Sequence, residues 1–284
     1  MSETTTKHND HEIIKLSSGT VAHIWHPPPQ SPPRAVIILQ HGYAEYAERY
    51  LTSHHNIISH LTAAGYAVYA MDIWGHGRSP GTRGVAHIGK AVSDHLSLRK
   101  LAASLAKPVI LLGHSLGGLI TAGSVTGNGA GIAGVVLTGP AFPLPIPWVG
   151  RVVVGAVVRA MPTVSVPGRS VPIEGLTRDM KELEKYWADP SFYKKGICFL
   201  LAATALDVAE TVRAGLKDWS VPTLLLHGNA DKYCDWKESE KFVEGIKSAD
   251  KEFGVYEDGR HELLHDLEGD AVLKRIMEWI DGRV

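Results

Sequence analysis

Short, nearly unbroken apolar runs recur along this chain at residues 35–39, 66–71, 109–112, 135–137 and 223–226, and helix-length segments separate the first of them. A strand with one face in water alternates polar and apolar residues, so unbroken runs mark strands buried on both faces. The segments 57–64, 87–105 and 116–125 supply the helical cover. Strand, helix, strand order of this kind demands right-handed crossovers and a mostly parallel sheet with helices on both sides.

The ends of the chain fit around that core. Residues 12–16 and 21–25 flank Ser17-Ser18-Gly19-Thr20 and predict a starting hairpin, which the proline-rich linker 27–33 closes. After residue 137 the alternation lapses into prolines, an apolar block at 149–158 and helix-like stretches at 180–187 and 197–212. This predicts an inserted cap over 141–215, dividing one α/β core into 1–140 and 216–284. Strand and helix order then resumes, with 252–256 as the last strand and 271–280 as an amphipathic closing helix.

Composition excludes several classes. A chain of 284 residues that is 44% hydrophobic and 21% charged is neither collagen-like, coiled-coil nor wholly disordered. With 29 Lys and Arg against 30 Asp and Glu, the net charge of −1 offers no field for nucleic acid. Cys198 and Cys234 read as free thiols, and the polar start 1–10 lacks the apolar region of a signal peptide, so a cytoplasmic location is expected. Residues 109–150 carry no Asp, Glu, Lys or Arg, but glycines, prolines and His114 interrupt them, as buried strands and turns require and a bilayer span does not.

Gly113-His114-Ser115-Leu116-Gly117 has the G-x-S-x-G form of a nucleophile elbow, a strained strand-to-helix turn that exposes a serine hydroxyl. Chance alone yields about 0.17 such matches in a chain of this composition, so the context must decide. The pentapeptide follows the buried run 108–112 and opens onto Gly117, Gly118, Ala122 and Gly123, small residues that permit the close packing such a turn needs. A serine hydroxyl is barely nucleophilic unless a base takes its proton, and the base needs an acid to fix its tautomer. The order serine, acid, histidine, with the last two after late strands, selects Asp231 and His261. Asp235, read as a helix cap, is the rival acid, and His265 the rival base. Backbone N–H groups of Tyr43, after the strand at 35–39, and of Leu116 are the expected oxyanion hole; His41-Gly42 taken alone is also a plain strand-to-loop turn.

Four blocks then stand together: His41-Gly42-Tyr43-Ala44-Glu45-Tyr46-Ala47-Glu48-Arg49-Tyr50, Met71-Asp72-Ile73-Trp74-Gly75-His76-Gly77-Arg78-Ser79-Pro80-Gly81, Gly113 to Gly118, and Gly228-Asn229-Ala230-Asp231-Lys232-Tyr233-Cys234-Asp235. Over residues 37–280 the chain resembles the monoacylglycerol lipases of the α/β-hydrolase superfamily. The resemblance implies hydrolysis of a glycerol monoester of a fatty acid, with Ser115, Asp231 and His261 as triad. It implies that Glu45 and Arg49 organise a polar pocket for the glycerol hydroxyls, with Tyr186 approaching from the cap; the alternative is an ion pair bracing the oxyanion turn and a core tyrosine. Bulky Tyr43 departs from the smaller residue common in the family and bears on pocket width. Cys234 matches a family position near the site where alkylation would obstruct substrate, though it also reads as an inert buried thiol.

Residues 146–158 form the most apolar stretch not needed for the sheet, and an acyl chain leaves water only along such a surface. They are expected to line the tunnel mouth and to touch a membrane or lipid-droplet surface, unless they form an ordinary buried cap helix. His261-Glu262-Leu263-Leu264-His265 is also a literal H-E-x-x-H, a zinc-metalloprotease signature with a chance expectation of about 0.04. That motif needs both histidines on one continuous helix, and Asp258-Gly259 before His261 is a turn signal. The expected activity is therefore a serine carboxylic ester hydrolysis needing no metal and no organic cofactor, with another carboxylesterase or a lysophospholipase as the alternative. No oligomeric state is written in the sequence.

Overall fold

The computed structural model describes residues 6–8, 10–28, 32–168 and 172–284. Part of the polar start (1–5 and 9) and the middle of the proline linker (29–31) lie outside the described residues. Among the described residues nine strands form one sheet: β1 (Thr6–His8), β2 (His11–Lys15), β3 (Val21–Trp25), β4 (Val36–Gln40), β5 (Ala67–Met71), β6 (Val109–His114), β7 (Ile132–Thr138), β8 (Thr223–Gly228) and β9 (Lys251–Tyr256). Their spatial order is β1-β2-β3-β5-β4-β6-β7-β8-β9. The first pairs, through β3 with β5, are antiparallel, and every pair from β5 to β9 is parallel. The predicted hairpin is β2 and β3; the mostly parallel sheet expected from the alternation is present, in the α/β-hydrolase arrangement that the resemblance implied.

The helices are α1 (Ile57–Ala63), α2 (Ile88–Ala103), α3 (Leu116–Gly127), α4 (Trp148–Ala160), α5 (Met180–Ala188), α6 (Phe199–Gly215), α7 (Trp236–Gly245) and α8 (Gly269–Asp281). Successive residues of a strand point to opposite faces, and the apolar runs sort accordingly. Val36, Ile38, Leu111 and Leu137 pack with Leu98, Leu119 and Val212, on the α2, α3 and α6 side. Ile37, Leu39, Leu112 and Val136 pack with Ile58, Leu61, Ile276 and Trp279, on the α1 and α8 side. This double cover is the physical reason the runs are unbroken. Among the described residues no helix is long and apolar enough to cross a membrane.

The segment 141–215 does not behave as one piece. Helix α6 buries Leu201, Ala205, Val208, Ala209 and Val212 in the sheet's own core, and Val208 comes so close to Gly123 of α3 that a methyl group there would lie 2.8 Å from it. Helix α5 joins Ile173, Leu176 and Phe192 in a small cluster above Ala44 and Tyr43. Helix α4 buries no residue at all, with Trp148 77% and Val152 63% exposed, so the ordinary buried helix considered above does not describe it.

Candidate active site

Parallel strands that share a direction collect their carboxyl-terminal turns along one edge of the sheet, where an α/β fold places its ligands. Here that edge carries His41 and Gly42 after β4, Ser115 after β6, Gly139 after β7, Asp231 after β8 and His261 after β9. Ser115 sits at the corner between β6 and α3 with φ 52° and ψ −121°, a left-handed backbone that costs a non-glycine residue energy. Packing enforces the corner. A Cβ at Gly117 would stand 2.1 Å from the Gln40 carbonyl oxygen, and one at Gly113 would stand 2.6 Å from Thr121 Oγ1. Ser115 N–H donates to Thr138 O at 3.0 Å and Ser115 O accepts from Ala141 N–H at 2.9 Å, tying the elbow to the neighbouring strand end.

The serine hydroxyl donates to His261 Nε2 at 2.8 Å, and His261 Nδ1–H donates to Asp231 Oδ2 at 2.6 Å. A carboxylate only accepts, so the Asp231 contact fixes the proton on Nδ1 and leaves Nε2 free to accept. Asp231 is itself held on both oxygens: Oδ1 takes the N–H groups of Tyr233 (2.7 Å) and Cys234 (3.0 Å), and Oδ2 also takes His227 Nε2–H at 2.9 Å. Burial pushes the Asp231 carboxyl up, but the His261 charge and the hydrogen bonds from His227 and His261 outweigh it and hold it far below the ordinary range. Burial pulls the His261 imidazole down, and Asp231 overcomes it, leaving it well above its ordinary value. Asp235 stands elsewhere, at the start of α7, where its side chain accepts Lys237 N–H at 3.0 Å as a helix cap. Burial pushes the Cys234 thiol up beside Ser115 and His261.

The turn after β4 is braced from below. Glu45 Oε1 accepts Gly42 N–H at 2.6 Å and the Tyr50 hydroxyl at 2.8 Å, while Arg49 donates to Glu45 Oε2 at 3.1 Å. The Arg49 guanidinium lies over the Tyr186 ring at 3.9 Å, so the three polar-pocket candidates form one buried cluster. Tyr43 turns its bulky side chain to the cap, donating to Gly196 O at 3.0 Å, and Leu116 is the first residue of α3, at the positive end of the helix dipole.

Several residues of this edge were given no individual role by the sequence. His41 donates from Nδ1 to Gly42 O at 2.7 Å and accepts Ile73 N–H on Nε2 at 3.0 Å. Asp72 takes the N–H groups of Ala47 (2.8 Å) and Arg78 (2.7 Å), locking the second sequence block against the first. His227 orients Asp231. The one available signal was the His-Gly pair that ends both the 35–39 and the 223–226 runs. The H-E-x-x-H segment is divided: Glu262 lies outside any α-helix, Leu263–His265 is a single 3-10 turn, and His265 joins Glu262 and Tyr186 instead of Ser115. The two histidines therefore do not share a helical face.

Residues 31–268 match the family model described as serine aminopeptidase, S33. The monoacylglycerol lipase of Mycolicibacterium smegmatis is 31% identical over 89% of this chain and 90% of its own length. The monoglyceride lipase of Homo sapiens is 32% identical over 90% of this chain and 85% of its own. The crystal structure of Paleococcus ferrophilus monoacylglycerol lipase superimposes with a TM-score of 0.81 at 27% identity, covering 93% of this chain and 99% of that one. The chain thus belongs to the serine aminopeptidase S33 family of the α/β-hydrolase superfamily and, within it, to the family of the monoacylglycerol lipases.

Proposed function

We propose that this protein hydrolyses monoacylglycerols to fatty acid and glycerol through an acyl-enzyme on Ser115. The observation that carries the reading is the unbroken line from Ser115 Oγ through the His261 ring to Asp231. Ser115 attacks the ester carbonyl while His261 takes its proton, Asp231 holds the imidazolium, and the N–H groups of Tyr43 and Leu116 receive the oxyanion. Glycerol leaves with that proton. Water activated by the same imidazole then releases the acid, so the cycle calls for no metal or cofactor and should proceed in EDTA.

We assign Glu45 and Arg49 to the polar end that meets the glycerol hydroxyls, with the Tyr186 ring fixing the guanidinium from beneath. The relatives' substrates support this choice over other esters. Presented with 1- and 2-monoacylglycerols, diacylglycerol and lysophosphatidylcholine in parallel, the protein is expected to turn over the monoacylglycerols at least about tenfold faster than the others, a discrimination of about 1.4 kcal/mol. Faster cleavage of lysophosphatidylcholine would place it among the lysophospholipases instead.

The cap in this reading is the part of 141–215 that precedes α6, because α6 belongs to the core. Its helix α4 presents Trp148, Val149, Val152 and Val153 to solvent together, an apolar face suited to a lipid surface. The protein then works in the cytoplasm, peripherally on membranes or lipid droplets. In liposome flotation the wild type should rise with the vesicles and Val153→Glu should lose most of that association; equal flotation of both rejects the contact.

A further inference from the structure

Glu262, one residue past His261 and 4% exposed, has no part in the hydrolysis as derived above. Its Oε2 receives the Tyr186 hydroxyl of α5 and meets Nδ1 of His265. The other nitrogen of His265 accepts the backbone N–H of His54, so the neutral ring carries its proton on Nδ1 and donates it to Glu262. One buried oxygen thus gathers a donor from the cap and a donor from the turn that follows the base. It needs them: Glu45 and Glu262 share the single guanidinium of Arg49, which stands 3.1 Å from the first and 3.9 Å from the second. Burial, with the Glu45 charge beside it, pushes the Glu262 carboxyl up to about 7, and these donors, together with Arg49, are what favour its charged form.

The loop around the base is fastened to the same stretch of cap. Glu262 N–H donates to Leu176 O at 2.9 Å, Arg260 Nη1 to Thr177 O at 2.8 Å, and Thr177 Oγ1 to His265 O at 2.7 Å. Arg178 pairs with Asp266 at 3.0 Å. The side chains of Arg260 and Glu262 thus anchor the residues on either side of His261, whose ring must keep contacts of 2.8 and 2.6 Å at its two ends. Proton transfer survives little displacement from such a geometry.

We propose that Glu262 is a positioning residue for the hydrolysis: by joining Tyr186 of α5 to the loop that carries His261, its carboxylate keeps the imidazole in register between Ser115 and Asp231. The reaction centre is then complete only with the cap segment 173–188 docked. This rests on the assignment of Ser115 and His261 under the proposed function, and the test separates the two.

On a monoacylglycerol, Glu262→Ala should lower kcat about 30-fold with KM within about twofold, the signature of a misplaced base and not of lost binding. Glu262→Gln, which keeps an acceptor oxygen and the shape, should recover most of that turnover. Tyr186→Phe deletes one oxygen and retains the ring under Arg49; it should lower kcat about fivefold, and the double variant Glu262→Ala/Tyr186→Phe should lose no more than Glu262→Ala alone, because both break the same contact. Fluorophosphonate labelling of Ser115 should slow in parallel. Unchanged kcat in the folded Glu262→Ala or Tyr186→Phe proteins, a loss confined to KM, or fully additive losses each overturn the positioning role. Should Glu262→Ala fail to fold, Tyr186→Phe decides by itself. Labelling that persists in Ser115→Ala overturns the nucleophile assignment instead, a result distinguishable from all of these.

Discussion

Ser115→Ala is expected to lower turnover of a monoacylglycerol by about 10⁴-fold or more, since removing the nucleophile of a triad leaves only the oxyanion donors and substrate binding. The loss should fall on kcat, because nothing that holds the substrate is removed. It should not fall on the fold: a methyl group replaces a hydroxymethyl whose oxygen bonds to His261, and the thermal midpoint is expected to stay within a few degrees, as is usual for a change worth about 1 kcal/mol or less. Steady-state hydrolysis read beside a melting curve checks both halves. A folded alanine variant retaining more than about 1% of the wild-type rate would remove Ser115 from the mechanism.

Asp231→Asn should be nearly as severe, at about 10⁴-fold in kcat, for a tautomeric reason. The amide presents an N–H where the carboxylate presented an acceptor, so the His261 proton moves to Nε2 and that nitrogen can no longer take the serine's. The pH profile gives an independent sign. The Asp231 charge holds His261 above its ordinary value, so the wild-type rate is lost as pH falls through that raised value and the imidazole protonates. Without the charge the imidazole releases its proton at lower pH, and the acid limb of the residual activity shifts downward. Asp235→Asn is the matched control: asparagine caps a helix as well as aspartate does, so α7 should keep its first turn and activity should stay within about twofold. The reverse pattern would transfer the acid's role to Asp235.

The elements legible in the sequence are those whose cause is local. Strand and helix order followed from unbroken runs and helix-length spacers. The corner at Ser115 followed from two glycines, because at that turn any Cβ collides with a backbone four to five residues away or across the sheet. The role of Asp235 as a cap was readable for the same reason: a cap is decided within three residues. By contrast, α6 and α4 are both apolar, and only one of them is buried. Sequence records that a face dislikes water, and it leaves open which neighbour covers that face.

The site divides along the same line. Residue types, chain order and the elbow were enough to nominate Ser115, Asp231 and His261, but their meeting joins positions 146 and 30 residues apart, and only the β-sheet's common edge sets those distances. His227 was marked only by the His-Gly pair and not by its hold on Asp231, since a histidine's partner depends on the tautomer its surroundings impose. Glu262 was visible only as the middle of a metal-binding pattern. The turn after β9 sends His261 toward Ser115 and its neighbour toward Tyr186, and a reversal within two residues is decided by backbone dihedrals and by the cap that packs above them, neither of which is encoded in spacing alone.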